Sequence, residues 1–120
     1  MATYTKLKLS ASTDGRGIKI AQTATAGDTI HTCSNDADVM DEIWLYAYNS
    51  SAAAVNLTVE MGGVTAPDDN ILAAIPPKAG LYLVVPGLVI KGNETPLVIK
   101  AFAATANVVV VFGYVNRITT

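Results

Sequence analysis

In the segment AVNLTVEM, Val55, Leu57, Val59 and Met61 alternate with Asn56, Thr58 and Glu60. A period of two puts the first set on one face of a strand and the second set on the other. TKLKLS repeats the pattern with Leu7 and Leu9 against Lys6 and Lys8, and GIKIAQ sets Ile18 and Ile20 against Lys19. Helical periodicity is nearly missing from the chain. Alternation of this kind describes antiparallel sheet with one face in a core and one in water. The fold class is therefore all-β, with Val55, Leu57, Val59 and Met61 facing in and Asn56, Thr58 and Glu60 facing out.

Turn chemistry separates the alternating runs. STDGRG, TAGDT, MGGVTAPDDN, IPPKAG and KGNETP bring glycine, proline, Asp and Asn to the points where the chain must reverse. Strands are expected near 4–10, 17–23, 28–33, 41–49, 54–61, 80–86, 97–103 and 107–117. About eight strands at roughly ten-residue spacing suit a β-sandwich or barrel. The expected architecture is one domain over residues 1–120. It is an antiparallel sandwich, jelly-roll-like in the first instance and immunoglobulin-like in the second, because connectivity is not written in one sequence.

Three segments break the one-face rule. GLYLVVP, LVIKAFA and NVVVVFGYV are apolar on both faces, in a chain that is 51% hydrophobic and only 15% charged. A soluble small domain carries charge on about 25–35% of its surface. Both observations predict that a partner covers part of this surface, and that the chain is a homo-oligomer, a trimer or failing that a dimer. The closing strand is expected to be central, with its outer side against a neighbour, which makes Val109, Val111, Val115 and Arg117 interface candidates. EIWLYAYN adds Trp44, Tyr46 and Tyr48 on one face, against Ile43, Leu45 and Ala47 on the other. Such an aromatic stripe serves a core, a protein interface or a sugar-stacking platform. Trp44 is expected to be mostly buried.

Little in the sequence speaks of chemistry. Net charge is −2 and the eight Lys and Arg are scattered, so no basic patch supports nucleic-acid binding. No apolar run approaches the ~20 residues of a membrane-spanning helix, and the N-terminal segment shows no apolar core of signal-peptide length. The single cysteine, Cys33, excludes an intrachain disulfide and fits a reducing compartment or a particle assembled inside a cell. His31 stands two residues from Cys33, but zinc takes three or four protein ligands and the chain has one His and one Cys. At that spacing the two side chains share a strand face and run parallel. NDADVMDE starts like a calcium loop and then fails, with no glycine at the sixth position and Ala47 where the bidentate Glu belongs. DGRG is too poor in glycine for a phosphate loop, and no G-x-S-x-G elbow occurs. The sequons at Asn49, Asn56 and Asn93 read as chance matches. No catalytic residue, metal site or cofactor is expected, and the chain does not read as an enzyme.

Taken together, STDGRGIKIAQTATAGDTIHT, DEIWLYAYNSSAAAVNLTVEMGG and VVPGLVIKG…LVIKAFAATANVVVVFGYVNRI resemble a group of small proteins encoded among the head genes of tailed bacteriophages. That group is similar to head decoration, or cement, proteins, and the resemblance runs from about Thr5 to Ile118. It implies a β-rich oligomer made in the host cytoplasm and bound to the major capsid protein on the virion surface. It implies no active-site residues. Contacts to a capsid are expected from loops, with Ser12–Gly17, Ala26–Asp41 and Gly62–Asn70 as candidates. The competing reading is a carbohydrate-binding or adhesin module of a phage tail. An exposed aromatic platform favours the adhesin; a buried one favours the cement protein.

Overall fold

The structure, a computed structural model, describes residues 2–120. Nine strands make it up: β1 (Thr3–Lys8), β2 (Ile18–Lys19), β3 (Asp28–Thr32), β4 (Val39–Asn49), β5 (Val55–Met61), β6 (Asn70–Ile75), β7 (Tyr82–Lys91), β8 (Val98–Ala103) and β9 (Val109–Thr119). They form two antiparallel sheets packed face to face. The first has the order β1-β9-β4-β7, with β2 also paired to β9, and the second has the order β3-β8-β5-β6. The expected all-β sandwich is the fold. Among the described residues there is no helix, and so none long and apolar enough to cross a membrane.

Strand β6 lies where the sequence reading ran loop into turn. NILAAI has no alternation and little β-branched content, so nothing local marks it. It forms because β5 offers a free edge and the Gly62–Asp69 connection returns the chain to it, pairing Val55 with Ile75 and Glu60 with Asn70. β7 also runs on to Lys91, beyond the expected stop at Pro86.

Core composition explains which way β4 faces. Ile43, Leu45 and Ala47 point inward and are fully buried, as are Ala101 and Ala103 of β8. Sheets in a sandwich stand about 10 Å apart. With Ile43, Leu45 and Ala47 filling that gap, the alternation of β4 turns the aromatic stripe outward. Trp44, Tyr46 and Tyr48 are consequently partly buried on the outer face: most of the Trp44 surface is covered, as expected, but by its neighbours on that face rather than by the core.

The closing strand is central, flanked by β1 and β2 on one side and β4 on the other. Its inward residues are Val109, Val111 and Val115, with exposures of 0%, 1% and 0%. All three were expected at a subunit contact; they belong to the chain's own core, each contributing about 1.5–3 kcal/mol by burial. Alternation also misplaced one face of β5. Thr58 and Glu60 point away from the core yet are buried, and Glu60 is covered by the segment before β3. Thr25 Oγ1 donates to Glu60 Oε2 at 2.5 Å and the Gly27 amide donates to Glu60 Oε1 at 2.8 Å.

The accessible surface is 6289 Å², close to the ~6,200 Å² expected of a compact chain of this mass. The described chain is therefore packed about as compactly as a folded monomer of its mass.

Candidate functional site

The outer face of the first sheet is a tiled aromatic surface. Register places Trp44 beside Tyr114, Tyr46 beside Phe112 and Tyr48 beside Val110. Trp44 and Tyr114 stack with centroids 6.1 Å apart and planes 9° from parallel. Lys6 of β1, on the far side of β9 from Trp44, sets its ammonium 4.8 Å from the Tyr114 centroid. Tyr114 thus has a ring on one face and a cation on the other. On its β7 side Trp44 abuts Gly87, where an added Cβ would lie 2.9 Å from the indole Cζ2. The indole N–H donates to Glu42 Oε1 at 2.7 Å, and Asn116 Nδ2 donates to the same oxygen at 2.9 Å. The hydrogen bonds from Asn116 and Trp44 hold the partly buried Glu42 carboxyl below its usual range.

The second constellation is interior and joins the two sheets. His31 of β3 lies between the Ser10 backbone and Asp41 of β4. The Ser10 amide donates to His31 Nδ1 at 3.1 Å. That nitrogen must therefore be an acceptor, which leaves Nε2–H to donate to Asp41 Oδ2 at 2.8 Å. Arg117 of β9 grips the same carboxylate from above, Nε to Oδ1 at 2.7 Å and Nη2 to Oδ2 at 2.9 Å. Burial pushes the His31 pKa down, and the pull of Asp41 only partly offsets this. Burial alone would raise the Asp41 pKa, but the bonds from Arg117 and His31 outweigh it and hold the carboxyl below its ordinary value. Arg117 in turn is held charged by Asp41.

Cys33 completes a trio with these two. Donor atoms of His31, Cys33 and Asp41 lie within 4.8 Å of one another, closer than two parallel side chains on a regular strand. A register shift between Thr29 and His31 turns the imidazole inward and accounts for the difference. The trio has the donor types of a metal site, but its His and Asp atoms are engaged in hydrogen bonds. Both His31 nitrogens and both Asp41 oxygens are committed, and a guanidinium already occupies the cation's place. Burial raises the Cys33 thiol to about 12, so by itself it stays protonated at neutral pH. The bonds it makes tie β3 of the second sheet to β4 and β9 of the first.

A third feature is the end of the sandwich at which β4 begins and β9 finishes. The Asn93 amide donates to the Ser34 carbonyl, and a Cβ on Gly62 would lie 3.6 Å from Leu97 and 3.7 Å from Ile90. The β3–β4, β5–β6 and β7–β8 connections therefore meet there, around an open depression of about 450 Å³ lined partly by Ala37, Asn93 and Glu94. Two of the expected contact segments reach this end. Gly62–Asn70 does so almost whole. Of Ala26–Asp41 only the stretch between β3 and β4 does, since much of the rest is strand. Ser12–Gly17 lies elsewhere, with Gly17 against Val110 and Phe112.

Of the anticipated site residues, Trp44, Tyr46 and Tyr48 share the outer face, Arg117 is a partly exposed ion-pair partner at 31%, and the three valines are interior. The sequence reading missed Phe112, Tyr114 and Asn116, which complete the aromatic face. Their parity opposite Val111 and Val115 was readable, but their register beside β4 was not. No protein-family model matches the chain, and neither a curated protein nor a solved structure does.

Proposed function

We propose that this protein is a structural component of a bacteriophage particle, a decoration protein that binds the outside of an assembled head and stabilises it. The carrying observation is the aromatic face of the first sheet, whose best-defined ring pair is already closed upon itself. A sugar stacks on an open ring face. Tyr114 has Trp44 on one side and Lys6 on the other, and Trp44 lies between Tyr114 and Gly87. What these two rings offer outward is edges, which suit packing against another protein surface. The stripe does point away from the core, as the tail-adhesin alternative requires, so that alternative remains the one to beat. The sequence resemblance supplies the role, and the loops at the β4 start supply a plausible set of contacts to the major capsid protein. In this reading the protein acts as a homo-oligomer, without cofactor.

Anything that binds only the intact shell stabilises it, by about 2.7 kcal/mol per site at a hundredfold excess over the dissociation constant. With a net charge of −2, attachment should depend only modestly on salt. The test is to prepare heads lacking the protein, add it back, and follow occupancy together with the temperature of genome release. Attachment with a raised release temperature supports the role. Heads that are equally robust without it, to which added protein never attaches, refute it. Fluorescence of Trp44 quenched by oligosaccharide would then move the adhesin reading ahead.

A further inference from the structure

Eight large hydrophobic residues are exposed among the described residues, and five of them, Leu81, Tyr82, Leu83, Leu88 and Val89, lie on β7 or directly before it. Their exposures run from 40% for Tyr82 to 59% for Leu81. β7 is the edge of the first sheet, paired only to β4. No charged residue occurs between Lys78 and Lys91. A long, uncharged, apolar edge strand invites association, and soluble proteins normally blunt such edges with charge. This one is blunted differently. Its pairing with β4 shifts register twice, and Pro86, which has no amide hydrogen, sits opposite Trp44 between the shifts. The backbone is therefore badly placed to accept a regular added strand. The side chains are left displayed while strand addition is discouraged, which is the opposite of what protection from all contact would produce.

We infer that the β7 flank is a self-association surface, and that its occupant is a second copy of this chain packed side chain against side chain about a two-fold axis. A two-fold contact brings a patch against itself, so the patch must be self-complementary. An apolar strip without charge meets that condition automatically, whereas a charged one repels its copy. The area is of the right order. By their partners on β4, Leu83 and Val89 belong to the outer side and Tyr82 and Leu88 to the inner side, so the strip wraps around the edge. Its five residues expose roughly 450 Å² together, and Leu83 beside Tyr46 extends it toward the ~800 Å² that each partner gives to a stable interface. Interfaces between identical subunits are also the more apolar kind. The surface differs from the valines of β9 on which oligomerisation was expected, and the inference does not depend on the proposed role on a phage head.

Light scattering coupled to size exclusion on the full chain at micromolar concentration should give a dimer. Leu83→Asp combined with Val89→Asp should weaken it at least tenfold and give a monomer at the same concentration. Tyr4→Asp, at the 70%-exposed position on the opposite edge strand, should leave the dimer intact. Hydrogen exchange of the unaltered protein supplies a readout that no variant can spoil by misfolding: dilution through the dissociation range should speed exchange in β7 and leave β1 unchanged. A monomeric wild-type protein, a double variant that stays dimeric, or dilution that exposes β1 rather than β7 overturns the inference. Adding the same samples to heads separates the two readings. A dimer that never attaches leaves the β7 contact standing and sinks the decoration role.

Discussion

Asp41 accepts three hydrogen bonds with no exposure to solvent, and its partners come from both layers of the sandwich. Burying a carboxylate costs several kcal/mol, which is offset only while each oxygen stays matched. Arg117→Met removes the cation and leaves the carboxylate with His31 alone. It should cost about 3 kcal/mol, more than an exposed ion pair is worth, because an unpaired buried charge remains. Urea unfolding with an unchanged slope would measure it; a loss under ~0.5 kcal/mol would show that the charge finds solvent. The same cluster sets the acid response. His31 takes a proton near 6.5 when unfolded but only at lower pH when folded, and Asp41 likewise ionises below its ordinary 3.8 in the fold. For both groups the unfolded chain binds more protons in acid, so unfolding takes up protons and acid favours it. Stability should be full above about pH 6.5, fall as His31 is forced to protonate, and fall again below about pH 4. Melting temperatures that rise between pH 7 and 5 would contradict the assignment of a neutral His31 donating to Asp41. Gly87 gives the third expectation at this scale. It adopts φ +84° against the indole, so Gly87→Ala should cost about 1–2 kcal/mol in backbone alone and shift the emission of the only tryptophan. An unaltered spectrum would mean that Trp44 does not lean on β7.

Among the elements, β5 shows how far alternation reads and where it stops. Val55, Leu57 and Val59 face the core as their spacing dictates, and the same spacing puts Glu60 on the outside. Its burial is set by Thr25 and Gly27, some thirty-five residues earlier in the chain, and no local pattern announces a cover that distant. β4 was ambiguous for a different reason. Both of its faces are apolar, and which of them meets the core depends on packing against the second sheet, whose strand pairing could not be foreseen. The candidate surfaces divide in the same way. The aromatic stripe was visible as a stripe, but its neighbours on β9 and the exposure of β7 depend on sheet order. The cover over β5 carries its own prediction. Glu60→Ala removes the acceptor for Thr25 and Gly27 without touching the core, so the segment from Ala21 to Gly27 should loosen while both sheets persist. Hydrogen exchange should show the Gly27 amide losing protection at least tenfold, with β5 and β8 amides little changed. Equal loss across β8 would mean that the segment is part of the sheet's cooperative unit rather than a lid upon it.

For the whole molecule, strand order decides how the chain must fold. Only the β5–β6 pair joins strands consecutive in the chain; β1 meets β9, β3 meets β8, and β4 meets both β7 and β9. The first sheet draws on β1, β2, β4, β7 and β9, and the second on the strands between them. Neither half of the sequence contains a complete sheet, so neither can bury its apolar face until the other arrives. The Asp41 cluster adds to this, because it ties β3 of one sheet to β4 and β9 of the other. Partial structures should therefore be poorly populated, and loop closure must precede most of the stabilising contacts. Refolding should take milliseconds to seconds, the range of β-sandwiches dominated by distant pairings. Trp44 reports on the outer face of the first sheet, while far-ultraviolet circular dichroism reports on both sheets. At concentrations low enough to hold the chain monomeric, the two probes should give coincident urea transitions and a single refolding phase. Refolding within microseconds, or a fluorescence transition separated from the dichroism, would show that the first sheet forms on its own and that the two layers are not one cooperative unit.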